Sequence, residues 1–203
     1  MKLFYSPGAC SLSPHIALRE AGLAFDLVRV DLSTKKTADG GDFRNVNPAG
    51  YVPALQLDDG SVLTEGPAIV QYVADRAPER QLAPPNGTMA RYKLQQWLNF
   101  ISTEIHKSYS PLFNPQAHAE WKAAARANLE RRLPLVSAQL ERSPYLLGDT
   151  YTVADCYLFV TLSWAPHVAL DLGPWPALQR YRTKVAARDG VQAALRAEGL
   201  VQA

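Results

Sequence analysis

The spacing of apolar positions changes once along this chain. Lys2 to Tyr5 is a short apolar run that predicts a strand, closed by Ser6-Pro7-Gly8. Ser13-Pro14 then opens a helix carrying Ile16, Leu18 and Leu23, since serine caps well and proline suits a first helical turn. Phe25 to Val30 alternates weakly and predicts a second strand, and the polar stretch from Lys35 to Pro48, with its Gly40-Gly41 pair, predicts a loop with at most a short helix. Ala54 to Leu57 and Ser61 to Leu63, on either side of Asp58-Asp59-Gly60, predict a hairpin, and Glu65 to Asp75 a helix. The order β-α-β followed by β-β-α suits a small mixed sheet with helices on its faces.

Strand-like alternation then stops. Residues 79–87 are rich in proline and carry no periodic pattern, so they predict a linker between a domain over 1–78 and a second over 88–203. The second reads as all helix, with proline-containing breaks near 111–115, 144, 166 and 174–176. In its first helix Leu94, Trp97, Leu98, Ile101 and Ile105 form one apolar stripe. Asn99, Thr103 and His106 fall on a separate polar stripe that can face a cleft between the domains. Thr152-Val153-Ala154-Asp155 is spaced as a capping box, with Tyr151 and Cys156 placed as a hydrophobic staple. The helix it starts presents Val153, Tyr157, Val160 and Trp164 on one face, which makes Cys156 a core residue.

Composition narrows the partners. With 47% hydrophobic and 20% charged residues the chain is an ordinary globular one, and a net charge of +2 is too small to imply a nucleic-acid partner. The sequence shows no apolar run near the roughly 20 residues that cross a bilayer and no secretory pattern, which points to the cytoplasm and away from a membrane. Cys10 and Cys156 are far apart in sequence, match no metal pattern and are expected as free thiols.

Three places could carry chemistry. At Val52-Pro53 the proline removes a donor and suits a turn with a cis bond, leaving the Val52 N–H and C=O to pair with an extended ligand. Thr64-Glu65-Gly66-Pro67 opens a helix whose unpaired N–H groups suit a carboxylate while the Glu65 side chain can hold an ammonium, a fit for an α-amino acid group. Cys10 follows a Pro-Gly turn just ahead of a helix, where amides and the helix dipole favour a thiolate, although a lone cysteine is more often a small buried hydrophobe. Taken alone, His106-Lys107 simply complements a helix end and Lys35 is a solvated charge. His15 and His118 have no partner that the sequence identifies.

These segments, with the opening run Met1 to His15, the stretch from Asn99 to His106-Lys107, and Thr152 to Asp155, resemble the glutathione transferases over essentially the whole chain. The cysteine at Cys10 is similar to that of the bacterial beta class. The resemblance implies an α/β plus all-α chain, with a thioredoxin-like N-terminal domain and an all-helical C-terminal domain. It implies an enzyme that joins the thiolate of glutathione, its co-substrate, to small hydrophobic electrophiles, in detoxification or aromatic breakdown, as a homodimer and with no metal.

Residue by residue, the same resemblance implies that Val52 beside Pro53 pairs with the cysteinyl backbone of glutathione. Glu65 and Gly66 would take its γ-glutamyl end, and Lys35 its glycine carboxylate. Asn99 and the Thr103-Glu104-Ile105 backbone would be further contacts. Cys10 would adjoin the sulfur, as thiolate stabiliser or through a mixed disulfide, and His106 would activate the thiol or contact glutathione. Tyr5 and Ser11 stand near the positions other classes use for activation, and with Lys107, Trp164 and His167 they would border the substrate pocket. Gly66 departs from the wider superfamily, which often has serine there, so one ligand hydrogen bond of about 0.5–1.5 kcal/mol is missing. Two other functions compete with this one: thiol-disulfide or reductive dehalogenation chemistry with Cys10 as nucleophile, and noncatalytic binding of hydrophobic ligands.

Overall fold

The computed structural model describes residues 1–201, which form two compact units. One is Met1–Ala83 together with the chain from Ala187 onward; the other is Pro84–Ala186. The boundary between Ala83 and Pro84 falls inside the predicted linker. The chain after Ala186 departs from the predicted 88–203 domain, because its last helix packs on the first helix of the first unit.

That unit runs β1 (Lys2–Tyr5), α1 (Leu12–Ala21), β2 (Asp26–Asp31), β3 (Lys36–Thr37), β4 (Ala54–Gln56), β5 (Val62–Thr64) and α2 (Gly66–Arg76). The sheet order is β3-β2-β1-β4-β5, with β1 parallel to β2 and every other pairing antiparallel. Helix α1 is the crossover that a parallel pair requires. Side chains alternate between the two faces of β1: Phe4 packs with Val30, Phe43, Val52 and Ala54, while the Tyr5 ring lies on the α1 side, 6.2 Å from that of His15. The stretch predicted as loop holds β3 and a short 3₁₀ turn, Phe43–Asn45, capped by the Asp42 carboxylate. A two-residue edge strand is too short to leave a period in the sequence.

The second unit is helical: α3 (Met89–Phe100), a π-helical stretch Ile101–His106, α4 (Lys107–Phe113), α5 (Ala119–Arg142), α6 (Val153–Ser163) and α7 (Pro176–Ala186). Every residue of α6 from Val153 to Leu162 is buried, the polar Asp155 and Thr161 included, as befits a helix enclosed on all sides. The capping box at its start is present. The Asp155 carboxylate accepts from the N–H groups of Leu146 at 3.0 Å and Thr152 at 2.9 Å and from the Tyr181 hydroxyl at 3.1 Å. Tyr151 and Cys156, the staple pair, also make a polar contact of 3.2 Å. Helix α8 (Asp189–Ala197) returns to the first unit. Among the described residues no helix is long and apolar enough to cross a membrane.

Candidate active site

In the first unit three separate segments meet. The Val52-Pro53 peptide is cis, and the Cys10 Sγ–H donates to the Val52 carbonyl at 3.2 Å. A Cβ placed on Gly66 would stand 3.9 Å from the Pro53 ring, so the start of α2 lies against the same turn. Glu65, the residue ahead of α2, has φ 68°, a conformation that non-glycine residues rarely adopt and that marks functional positions. The Gly66 N–H, first of the helix, makes no hydrogen bond among the described residues, nor does that of Val52. Cys10, Val52, Pro53, Glu65 and Gly66 therefore converge on one edge that offers unpaired amides, a carboxylate and a thiol.

Lys35 reaches the same turn from the β2–β3 side. Its backbone is left-handed at φ 59°, its stem lies 3.4 Å from the Cβ position of Gly50, and its Nζ sits 5.3 Å from the centre of the Tyr51 ring. Ser11 is committed elsewhere: its buried hydroxyl accepts from the Ser6 N–H at 3.1 Å and donates to the Ser6 carbonyl at 3.2 Å. It braces the loop from Ser6 to Cys10 rather than lining a pocket. Tyr5 is 9% exposed and packs toward α1.

The expected thiolate at Cys10 is not what this environment favours. Burial pushes the thiol up to about 11, outweighing the backbone amides of Cys10 and Ser11, and the nearby Glu65 carboxylate adds to the rise. Near neutral pH Cys10 is a thiol, and its proton is given to Val52. The loop carrying it is also held from far along the chain. Glu198, just after α8, accepts from the Gly8 N–H at 2.9 Å with one carboxylate oxygen and meets His15 Nδ1 at 2.8 Å with the other. The side chains of His15 and Glu198 are both fully buried. His15, without an identified partner in the sequence, thus has one 183 positions away.

The second unit gathers its candidates on the π-helical stretch. A helix of this kind closes i→i+5 bonds and commonly occurs at functional sites. It replaces the 3.6-residue period from which the polar stripe of Asn99, Thr103 and His106 was predicted. Thr103 donates its hydroxyl to the Asn99 carbonyl at 3.0 Å, and the Glu104 carboxylate pairs with Arg132 Nε at 2.6 Å. The Glu104 carbonyl accepts from Ser108 Oγ at 2.8 Å and Asn128 Nδ2 at 3.2 Å, so α5 braces this stretch from the side. Ile105 points into the core. Lys107 is exposed and, with Thr103, Pro111 and Trp121, lines a cavity of about 340 Å³.

His106 sits in an aromatic nest. Its Nδ1 lies 2.6 Å from the Tyr157 hydroxyl, and its ring centre is 4.8 Å from that of Trp164. Trp164 packs in turn edge-on to Tyr109 at 5.4 Å and Phe113 at 5.8 Å. Burial, with a smaller contribution from the Lys107 charge, holds the imidazole down to about 4. His167 is exposed, in the short turn Ala165–Val168 beyond Trp164.

Two family models match this chain: "Glutathione S-transferase, N-terminal domain" over residues 8–76 and "Glutathione S-transferase, C-terminal domain" over residues 100–189. The chain belongs to the glutathione S-transferase family. It is 50% identical to glutathione S-transferase GstA of Escherichia coli O157:H7, over 98% of this chain and 100% of that one. Among solved structures, BphK, a bacterial GST in a ternary complex, superposes with a TM-score of 0.98 at 68% identity, covering 98% of this chain and 100% of its own. A bacterial beta-class glutathione S-transferase of Sphingomonas chungbukensis gives 0.96 at 51% identity, covering 99% and 100%.

In this transferase the sequence reading missed Tyr157 as the partner of His106, Glu198 as the anchor of the Cys10 loop, and Arg132 as the partner of Glu104. The residues of these pairs lie 51, 190 and 28 positions apart, and no local pattern links them. Among the described residues no group of histidines, cysteines and acids is placed to hold a metal ion.

Proposed function

We propose that this glutathione transferase conjugates glutathione to small hydrophobic electrophiles, with Cys10 acting as a neutral hydrogen-bond donor to the sulfur. The observation that carries this reading is the 3.2 Å contact between Cys10 Sγ and the Val52 carbonyl, beside the cis Val52-Pro53 peptide and the start of α2. A tripeptide lying along this edge would pair its cysteinyl backbone with Val52; its N–H would replace the Cys10 Sγ–H on the Val52 carbonyl, which frees that one thiol proton to turn to the glutathione sulfur. Its γ-glutamyl carboxylate would meet the Gly66 N–H at the positive end of α2, with the ammonium on Glu65 and the glycine carboxylate on Lys35. In the second unit, Asn99 and the Thr103-Glu104-Ile105 backbone are assigned as further contacts on the resemblance. His106 is assigned to the sulfur, and Trp164, with Phe113 beside it, to the electrophile. The homodimer and the cytoplasmic location are likewise carried over from the resemblance and the sequence.

Magnitudes favour a hydrogen-bonding over a covalent Cys10. A thiol near 11 is ionised to about one part in 10⁴ at pH 7, which makes it a poor nucleophile and a serviceable donor. One hydrogen bond to a thiolate is worth about 1.5–3 kcal/mol, so Cys10→Ala is expected to slow conjugation of an aryl halide by roughly 10- to 100-fold without abolishing it. Intact-mass measurement during turnover is expected to show no glutathione adduct on Cys10. Complete loss of conjugation together with such an adduct in the wild type would overturn the reading in favour of mixed-disulfide chemistry.

A further inference from the structure

The pair formed by His106 and Tyr157 has a chemistry of its own. An imidazole held near 4 is neutral at pH 7, so one ring nitrogen carries a proton and the other accepts one. Nδ1 is committed to the Tyr157 hydroxyl at 2.6 Å, the two rings standing edge to face with centres 5.8 Å apart. Tyr157 lies on α6, a helix buried from Val153 to Leu162, and is itself 3% exposed, so the hydroxyl is fixed in place. Nε2 makes no hydrogen bond among the described residues and is not among the buried unpaired atoms, so it is open to an outside partner.

A neutral histidine can serve a thiol in two ways. As a base near 4 it would take a proton from a thiol near 8.5, uphill by roughly four units and a factor above 10⁴. As a donor it stabilises the thiolate with no proton transfer. The donor role needs the proton on Nε2, and that leaves Nδ1 as the acceptor.

We propose that Tyr157 is a positioning residue that donates its hydroxyl proton to Nδ1 of His106, fixing the neutral tautomer whose Nε2–H is offered to the glutathione sulfur. The offer to sulfur, and the tautomer argued from it, rest on the function proposed above; the 2.6 Å contact between Nδ1 and the Tyr157 hydroxyl does not. No bond to carbon or sulfur is made or broken by this pair, and its protons stay where they are through turnover. The groups that face the imidazole are Tyr157 from α6, Trp164 at the end of that helix, and Lys107 from its own segment. Among these Lys107 alone is charged near neutral pH.

The first test is a long-range proton–nitrogen correlation spectrum of the whole protein with nitrogen-15 in its histidine rings at pH 7, the His106 signals identified by their loss in His106→Gln. The expected result is a protonated Nε2 and an unprotonated, hydrogen-bonded Nδ1. A proton on Nδ1 would overturn the proposal, and this spectrum needs no substitution at Tyr157. The second test is the pH profile of kcat/KM for an aryl halide at saturating glutathione in Tyr157→Phe, which reports the ionisation of the bound thiol. Loss of the fixed donor is expected to lower kcat/KM about five- to tenfold and to move the acid limb up by roughly half to one unit. A limb that stays in place, whatever the rate, would assign Tyr157 to packing alone and overturn the proposal. If the wild type conjugates no aryl halide, the functional reading fails, and the nitrogen spectrum still decides the tautomer.

Discussion

Each unit buries one carboxylate that ties separate segments together, and the two work over very different distances along the chain. Asp155 gathers the N–H groups of Thr152 and Leu146, 3 and 9 positions away, and the Tyr181 hydroxyl, 26 away. Glu198 gathers Gly8 and His15, 190 and 183 positions away. Both oxygens of each are used, and neither group touches solvent to any extent. The difference lies in what each protects: Asp155 fixes a helix start in the core of the second unit, whereas Glu198 fixes the loop that presents Cys10. Similar chemistry serves stability in one unit and the geometry of the site in the other.

The largest expected effect tests that contrast. Glu198→Ala removes a buried carboxylate from a buried histidine and from the partly buried Gly8 amide, and is expected to cost about 3–5 kcal/mol in urea unfolding. Below denaturing conditions it should also raise KM for glutathione, because the Ser6–Cys10 loop loses its anchor. Asp155→Ala is expected to cost somewhat less, about 2–4 kcal/mol, through the lost cap and the unpaired donors, with KM unchanged in whatever folded protein remains. Equal effects on KM would dissolve the distinction between the two carboxylates.

Smaller effects sharpen the account of the first unit. With its thiol near 11, Cys10 in the ligand-free protein is expected to react with iodoacetamide about tenfold faster per pH unit between pH 7 and 10, with no plateau. The sign follows from ionisation: below its pKa the thiolate fraction rises tenfold for each unit. A plateau reached by pH 8 would restore the thiolate expected from sequence. Gly66→Ser is the mildest change. Its Cβ would meet only the Pro53 ring, at an ordinary 3.9 Å, and the new hydroxyl is expected to lower KM for glutathione about two- to tenfold. An unchanged KM would remove the γ-glutamyl end from the start of α2.

What the sequence revealed and what it hid divide along the same line as the two carboxylates. The capping box at Thr152 and Asp155, the turn at Val52-Pro53 and the helix start at Glu65-Gly66 are each specified within a few residues, and each stands where the pattern predicted. The ionisation of the site was misjudged because helix-end amides are visible in sequence and desolvation is not. Burial outweighs the local donors at Cys10, so the expected thiolate is a neutral thiol, and burial likewise holds the His106 imidazole down to about 4. The π-helical stretch was hidden for another reason: the apolar spacing of Leu94, Leu98, Ile101 and Ile105 fits an ordinary helix, and the contacts that hold Glu104 come from Asn128 and Arg132, far along the chain.

The anchoring of Gly8 by Glu198 also fixes an order of events. A growing chain emerges at roughly 5–20 residues per second, and the two partners are 190 positions apart. From the end of α2 to Glu198 this leaves roughly 6–24 seconds in which the five strands, α1 and α2 exist without the residue that holds the Cys10 loop. A newborn N-terminal unit is therefore sheet first and active edge last, completed only once α8 and Glu198 have followed the whole helical unit out.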